Sequence, residues 1–306
     1  MDSEVVHSAT GARVTPGHDA PWRLASAKVI ALDRPRLMAI LNITPDSFFD
    51  GGTLTDPGSA AAAAARAVDE GADILDVGGE STRPGSARVD ADEQSRRVVP
   101  AIAAIRRAGG ALAAVPISVD TTRAAVARAA LDAGADAIND VSAGTDDDDM
   151  LALAARRGAG LVLMHRLRAP RDDSYSDRYA RPPDYTRGGG VVEVVRAFLA
   201  ARAAAAIAAG VDRAAIALDP GLGFGKTVDQ NLELIRRTGE LAAMGFPIVS
   251  GISRKSFTGA WAGLKDSTPA GRLAPSIALA LEHRRAGAAV FRVHDVAAHA
   301  AALRKG

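Results

Sequence analysis

The chain contains no cysteine. That single absence excludes disulfide frameworks, thiolate nucleophiles and Cys-ligated zinc or iron–sulfur centres. It also lacks any run of roughly 20 strongly apolar residues, the length a membrane-crossing helix needs; stretches such as 60–65 are merely alanine-rich. Charge of one sign is not in excess, with 37 basic against 36 acidic residues and a net charge of +1. A nucleic-acid or anionic-membrane surface therefore has no support. Lysine is scarce, only Lys28, Lys226, Lys255, Lys265 and Lys305, so Arg carries nearly all the positive charge. Residues 1–22 hold acids, Pro and Gly but no apolar core, which is not the pattern of a signal peptide. These absences predict a soluble, cytoplasmic protein.

What is present is ordinary globular composition, 306 residues of which 48% are hydrophobic and 24% charged. One local pattern recurs: an alanine-rich, helix-like stretch ends in Gly and a short aliphatic run follows. It appears at Gly71, Gly134, Gly158, Gly210, Gly245 and Gly287. Gly takes the left-handed conformation that ends a helix, so repeated helix–Gly–strand units predict parallel α/β architecture with buried strands. Strands are expected at 37–43, 73–77, 117–119, 137–138, 161–164, 215–218, 248–250 and 290–293, each followed by a helical segment. Eight such units predict a single-domain TIM-type (β/α)8 barrel over residues 37–306. Residues 1–36 form an N-terminal extension, with 23–32 expected as a strand of a small hairpin at the barrel's bottom. Residues 166–190 read as a long polar βα loop, in the first instance a solvated surface loop, with the alternative of a lid whose Tyr175, Tyr179 and Tyr185 pack over the pocket.

In such barrels the site lies at the C-terminal ends of the strands. Those ends carry Asn42, Thr44 and Asp46; Asp76 and Glu80; Asp120; Asn139 and Asp140; His165; Asp219; Ser253, Arg254 and Lys255; and Arg292, His294 and Asp295. Solvation alone explains any one of them, but not a polar or ionisable group at all eight. Asp and Asn in an apolar pocket suit a flat heterocycle with amino and carbonyl edges. Arg83, Arg292 and His294, beside the turn Gly78-Gly79-Glu80-Ser81-Thr82-Arg83-Pro84-Gly85, suit an anion such as phosphate. The segment Gly221-Leu-Gly-Phe-Gly-Lys-Thr227 is not a P-loop, because position 220 is Pro, and it is not GxGxxG. Lys226 is read as opening the next helix and staying solvated. His7, His18, His283 and His299 lie away from strand ends and are read as surface groups.

At these strand ends the sequence resembles the dihydropteroate synthases. The matching segments are Ile40-Leu-Asn-Ile-Thr-Pro-Asp-Ser-Phe48, Gly71 to Gly85, Ile117-Ser-Val-Asp-Thr121, Ile138-Asn-Asp-Val-Ser142, Leu218 to Thr227, Ser253-Arg-Lys-Ser-Phe257 and Arg292-Val-His-Asp295. The resemblance implies condensation of 6-hydroxymethyl-7,8-dihydropterin diphosphate with p-aminobenzoate to give dihydropteroate and diphosphate. It implies that Asp120, Asn139, Met164, Asp219 and Lys255 hold or cover the pterin. Thr82, Arg83, Arg292 and His294 would hold the diphosphate, with Asn42 ligating Mg2+, and Asp120, Asp219, Lys255 and Arg83 would carry the catalysis. Phe48, Pro84, Phe224, Ser253 and Arg254 would shape the p-aminobenzoate site, which sulfonamides would also enter. A homodimer is implied as well. The family pattern is broken after Met164-His165, where a long loop replaces a short one. Two rival readings are a methyltetrahydrofolate methyltransferase-like barrel and a non-catalytic pterin-binding paralogue. The first would not need the Ser-Thr-Arg-Pro-Gly and Arg-Val-His-Asp groups, and the second should have lost Asn42, Arg83, Asp219 or Lys255.

Overall fold

Strand alternation decides which side chains meet in this molecule, a computed structural model that describes residues 21–44, 56–264 and 266–305. Eight parallel strands, β3 (Arg36–Asn42), β4 (Ile74–Gly78), β5 (Ile117–Asp120), β6 (Ala137–Asp140), β7 (Gly160–Met164), β8 (Ile216–Asp219), β9 (Val249–Ser250) and β10 (Val290–Val293), lie in the order β8-β7-β6-β5-β4-β3-β10-β9. A parallel bridge from Leu218 to Ile248 and the bond from Leu218 N–H to the Pro247 carbonyl (2.8 Å) join the two ends into a barrel. Each strand is followed by at least one helix on the outside. The principal ones are α1 (Pro57–Asp69), α2 (Ala91–Arg107), α4 (Ala124–Asp132), α5 (Met150–Arg157), α6 (Val191–Ala208), α7 (Val228–Arg236), α10 (Leu273–Arg285) and α11 (Val296–Leu303); the short α3 (Gly110–Ala114), α8 (Thr238–Ala242) and α9 (Ser256–Trp261) lie between them. The six glycines singled out by the helix–Gly–strand pattern all have positive φ, from 57° to 114°.

Successive strand residues face opposite sides. Leu37, Ala39 and Leu41 of β3, Leu75 and Val77 of β4, and Ile117 and Val119 of β5 join the core between barrel and helices. The intervening residues point inward. Near the N-terminal ends these are Met38, Ile74, Ala137, Val162, Ala217, Val249 and Val290, which close the barrel floor.

A hairpin of β1 (Trp22–Arg23) and β2 (Val29–Ile30) is pressed into that floor, adding Trp22, Leu24, Ile30 and Leu32 to the same cluster. Trp22 is fully buried, and its indole N–H donates to the Ala215 carbonyl at 2.8 Å. Truncating a buried aromatic of this size costs about 3–5 kcal/mol, so the hairpin is part of the fold. Gly160 marks the contact, since a Cβ there would stand 2.4 Å from Leu24 Cδ2.

Three expectations need correction. Lys226, expected in solvent, is fully buried, and so are His283 and His299. His283 accepts or donates at Ser250 Oγ (Nδ1, 2.9 Å), and burial pulls its pKa down to about 3, so it is a neutral core residue. His299 Nδ1 lies 2.8 Å from the Asp295 carbonyl one helical turn back, again with its pKa lowered by burial. Both sit on the buried faces of their helices, His283 with Leu279 and Ala280 and His299 with Val296 and Leu303, but neither helix alternates apolar and polar faces strongly enough for its sequence to mark that side. The loop 166–190 is packed rather than solvated: Asp173, Ser176 and Tyr185 within it are buried. His7, His18, Asp46 and Phe48 lie outside the described residues.

Candidate active site

Above the apolar floor the inward positions change character. Asn42, Asp76, Asp120, Asn139, Met164, Asp219, Arg292 and His294 follow the same alternation one or two steps further along their strands. Asn42, Asn139, Met164, Asp219, Arg292 and His294 open into a cleft of about 650 Å3, whereas Asp76 and Asp120, the latter expected on the pterin, are not among its lining residues and reach it through Arg292. Its lining includes Asn42, Thr82, Arg83, Pro84, Asn139, Met164, Asp219, Phe224, Ser253, Arg254, Lys255, Arg292 and His294. The cleft thus gathers most of the residues named from sequence. Alternation excludes others. Asp140, adjacent to Asn139, turns outward and caps a turn, accepting from Ser142 N–H (2.8 Å), Ser142 Oγ (2.6 Å) and Gly144 N–H (2.6 Å). Glu80 accepts from Val89 N–H and Gln94 Nε2, and is likewise structural.

Deep in the cleft Arg292 spans two carboxylates, donating from Nε to Asp76 Oδ2 and from a terminal nitrogen to Asp120 Oδ2, both at 2.6 Å. Asp76 also accepts from Ser118 Oγ (2.6 Å) and Asn139 Nδ2 (3.1 Å). Sequence reading placed Asp76 at the rim but gave it no part. Burial drives the Asp120 carboxyl up, against the opposing pull of Arg292, while the paired carboxylates hold the guanidinium firmly charged. Arg292, expected on a diphosphate, is already committed to this network at two nitrogens.

Across the barrel, Asp219 Oδ1 accepts from Gly221 N–H at 2.7 Å. Its second oxygen lies beside Gly251, where a Cβ would come within 3.6 Å, so the missing side chain leaves that edge open to the cleft. Burial raises the Asp219 pKa, and nearby Lys255 acts the other way. The Lys255 ammonium sits 3.9 Å from the centroid of the Phe224 ring, a cation–π contact. Burial, assisted by Arg292, pulls its pKa down to about 8.

On the neighbouring side, Ser253 Oγ accepts from the His294 backbone N–H (3.2 Å) and lies 3.1 Å from His294 Nδ1. The hydroxyl proton is then best spent on Nδ1, which leaves His294 with Nε2–H as a donor. Burial and three arginines nearby keep this imidazole neutral. Arg254, with φ of 59°, is tied to Asp295 by both arms of its guanidinium (Nε to Oδ2, 2.9 Å). It shapes the wall of the cleft from a fixed position.

Lys226 and His165, behind the cleft, were missed or misread from sequence. The Lys226 amine donates to the carbonyls of Gly221 (2.9 Å) and Phe224 (2.8 Å) and meets His165 Nδ1 at 3.0 Å. Three acceptors match the three N–H bonds of an ammonium, although burial pulls its pKa down to about 7. His165 is held neutral, its pKa pushed down to about 2 by burial and by Lys226. The loop 166–190 also brings Tyr175, Asp177 and Arg178 to the cleft mouth, which Arg272, just before α10, lines as well. No helix among the described residues is long and apolar enough to cross a membrane.

The geometry can be set beside known proteins. The model of the pterin binding enzyme family matches residues 38–294. The dihydropteroate synthase of Neisseria meningitidis serogroup C is 42% identical over 278 residues, 90% of this chain and 93% of that protein. A probable bifunctional folylpolyglutamate synthase/dihydropteroate synthase of Haloferax volcanii is 45% identical over 94% of this chain, which spans only 31% of that longer protein. Among solved structures, Xanthomonas albilineans dihydropteroate synthase with 4-aminobenzoic acid superimposes with a TM-score of 0.80 at 40% identity, covering 93% of this chain and 96% of that one. The Burkholderia cenocepacia enzyme complexed with 7,8-dihydropteroate gives 0.79 at 41% identity, covering 93% and 94%. With a family model spanning residues 38–294 and relatives about 40% identical over most of its length sharing the barrel, the chain belongs to the pterin-binding enzyme family.

Proposed function

We propose that the chain is a dihydropteroate synthase, joining 6-hydroxymethyl-7,8-dihydropterin diphosphate to p-aminobenzoate with release of diphosphate. The observation that carries this reading is the pairing of two chemistries in one cleft. Asp219, Asn139 and Lys255 offer an acceptor, an amide and a cationic donor for the amino and carbonyl edges of a pterin. Thr82, Arg83 and the His294 Nε2–H offer donors for a departing anion. A methyltetrahydrofolate methyltransferase-like barrel has no use for the second set, and a non-catalytic paralogue has no reason to keep both.

The residues divide the work as follows. Asp219 and Lys255 bind and orient the ring, and Met164 covers it. As the CH2–O bond breaks, positive charge grows on the pterinylmethyl group, and the buried Asp120 and Asp219 carboxylates stabilise it. Arg83 and His294 stabilise the negative charge that leaves. Phe224, Pro84, Ser253 and Arg254 hold the arylamine in line with the carbon it attacks. No covalent enzyme intermediate is required of these residues.

Mg2+ fits the donor set. Among the described residues no three His, Asp or Glu side chains converge on one point, and Mg2+ bound to phosphates needs few protein ligands. Asn42 lines the cleft and would supply one oxygen. The ion, when bound, neutralises charge on the leaving diphosphate. EDTA should therefore suppress turnover while leaving the affinity for a pterin without diphosphate unchanged; full turnover in metal-free buffer would remove Mg2+ from the account. The family resemblance adds a homodimer, which light scattering reads directly.

The pH profile tests Lys255. Its protonated form is the one that donates to the ring carbonyl, and its pKa in the free protein is about 8. Because kcat/KM follows the free enzyme, that constant for pterin diphosphate should decline as pH rises through about 8. A profile flat to roughly pH 9.5, where such a group is almost fully deprotonated, would contradict the role. The function as a whole is tested by supplying pterin diphosphate, p-aminobenzoate and Mg2+. Stoichiometric diphosphate and dihydropteroate are expected; pterin binding without product would leave the non-catalytic reading.

A further inference from the structure

The segment that carries Phe224 is poorly suited to hold itself still. Gly221, Gly223 and Gly225 alternate through it, all with positive φ (66°, 81° and 63°). Glycines lose more conformational freedom on ordering than other residues, so a loop with glycine at every second position needs outside partners.

The structure supplies them on two sides. From the chain entering α7, Lys226 takes the Gly221 and Phe224 carbonyls, and Asn231 Oδ1, in the first turns of α7, accepts from Gly223 N–H at 2.7 Å. From above come two side chains of the loop 166–190. Asp173 Oδ2 accepts from Gly225 N–H at 2.7 Å, and Tyr185 OH donates to the Gly225 carbonyl at 2.7 Å. The residue immediately after Phe224 is thus held at both its amide and its carbonyl by this loop. Backbones meet here with no room to spare, since a Cβ on Gly225 would lie 2.3 Å from Leu167 Cβ, and one on Gly221 would lie 1.8 Å from the His165 carbonyl oxygen.

The two holding groups are themselves held. Asp173 Oδ1 accepts from Tyr179 OH (2.6 Å) and Ser174 N–H (2.9 Å). Gln230 of α7 donates to the Pro183 carbonyl (2.8 Å), and Asn231 Nδ2 to Ser176 Oγ (3.1 Å). Two of the chain's three tyrosines therefore serve this arrangement, and the third, Tyr175, stands at the cleft mouth.

We propose that the loop 166–190, through the Asp173 carboxylate and the Tyr185 hydroxyl, is a positioning clamp that fixes the Phe224 ring in the arylamine subsite and thereby sets the affinity for the arylamine. The clamp rests on the proposed role of Phe224. Asp173 and Tyr185 act through the backbone of Gly225 and are positioning residues. Of the pterin anchors, Asn139 belongs to a strand away from this segment, while Asp219 and Lys255 meet it at Gly221 and Phe224 and not at the Gly225 amide and carbonyl that the clamp holds.

Steady-state kinetics of Asp173→Ala and Tyr185→Phe, each alone and combined with Phe224→Ala, test the clamp. In the otherwise native chain each should raise KM for p-aminobenzoate about tenfold, with KM for pterin diphosphate within about twofold. In the Phe224→Ala background, where no ring remains to be positioned, the same substitutions should add nothing. An unchanged KM for p-aminobenzoate, a parallel rise for both substrates, or an effect that survives in the Phe224→Ala background would each overturn the clamp. If Phe224→Ala itself leaves that KM unchanged, the reading of Phe224 has failed and the clamp falls with it. Should Asp173→Ala not fold, the near-isosteric Tyr185→Phe gives the same comparison.

Discussion

Replacing Asp219 by alanine should raise the dissociation constant for a pterin by about two to four orders of magnitude. The ring's amino and imino donors would lose a charged acceptor, each such bond contributing ~1.5–3 kcal/mol, and every 1.4 kcal/mol is about tenfold in affinity. The cost to the fold should be far smaller. Asp219 is a buried carboxylate with its pKa raised by desolvation, so its removal relieves one unfavourable burial while leaving Gly221 N–H without its acceptor. These terms oppose each other, and the melting temperature should move by no more than a few degrees. Calorimetric titration with a pterin, beside a thermal melt, reads both quantities. Unchanged pterin affinity would refute the assignment, and a collapse of the melt would show that Asp219 serves the fold instead.

Arg292→Ala should do the reverse and damage the fold as well as the site. The guanidinium neutralises two carboxylates, Asp76 and Asp120, that are 0% and 5% exposed. Removing one member of a buried ion network leaves uncompensated charge, at a cost of about 3–5 kcal/mol, or roughly 6–20 °C in melting temperature for a domain of this size. The sign of the pH dependence follows. Burial already raises the Asp120 pKa and Arg292 opposes it, so without Arg292 that pKa climbs further. A carboxyl raised in the folded state favours folding when protonated, so the deficit should shrink as pH falls toward about 5 and widen above neutrality. Adding Asp76→Asn to Arg292→Ala should recover part of the loss. A melting temperature within about 2 °C of the parent at pH 7 would mean that the trio is not a coupled unit.

The sequence by itself determined the repeating architecture, because its signals are local. A glycine that must end a helix and an apolar run that must be buried are dictated by their own neighbours, so eight βα units and the rim of polar strand ends could be read along the chain. Motifs such as Asp219-Pro-Gly and Ser253-Arg-Lys were legible for the same reason. Side-chain direction was not. Asn139 and Asp140 are equal candidates in sequence, and only the barrel's inside and outside, set by strand alternation, send one to the cleft and the other to a turn. Pairings across the barrel were also hidden, since Arg292 meets Asp76 at a separation of 216 residues. Lys226 shows the same limit in its sharpest form. A lysine opening a helix is ordinarily solvated, and it is buried here only because His165, Gly221 and Phe224 bring their acceptors around it. The loop 166–190 looked too polar to pack, yet its polar groups find partners on the glycine segment that carries Phe224. Burial of polar groups depends on where their partners lie in space, and that is what tertiary structure alone decided.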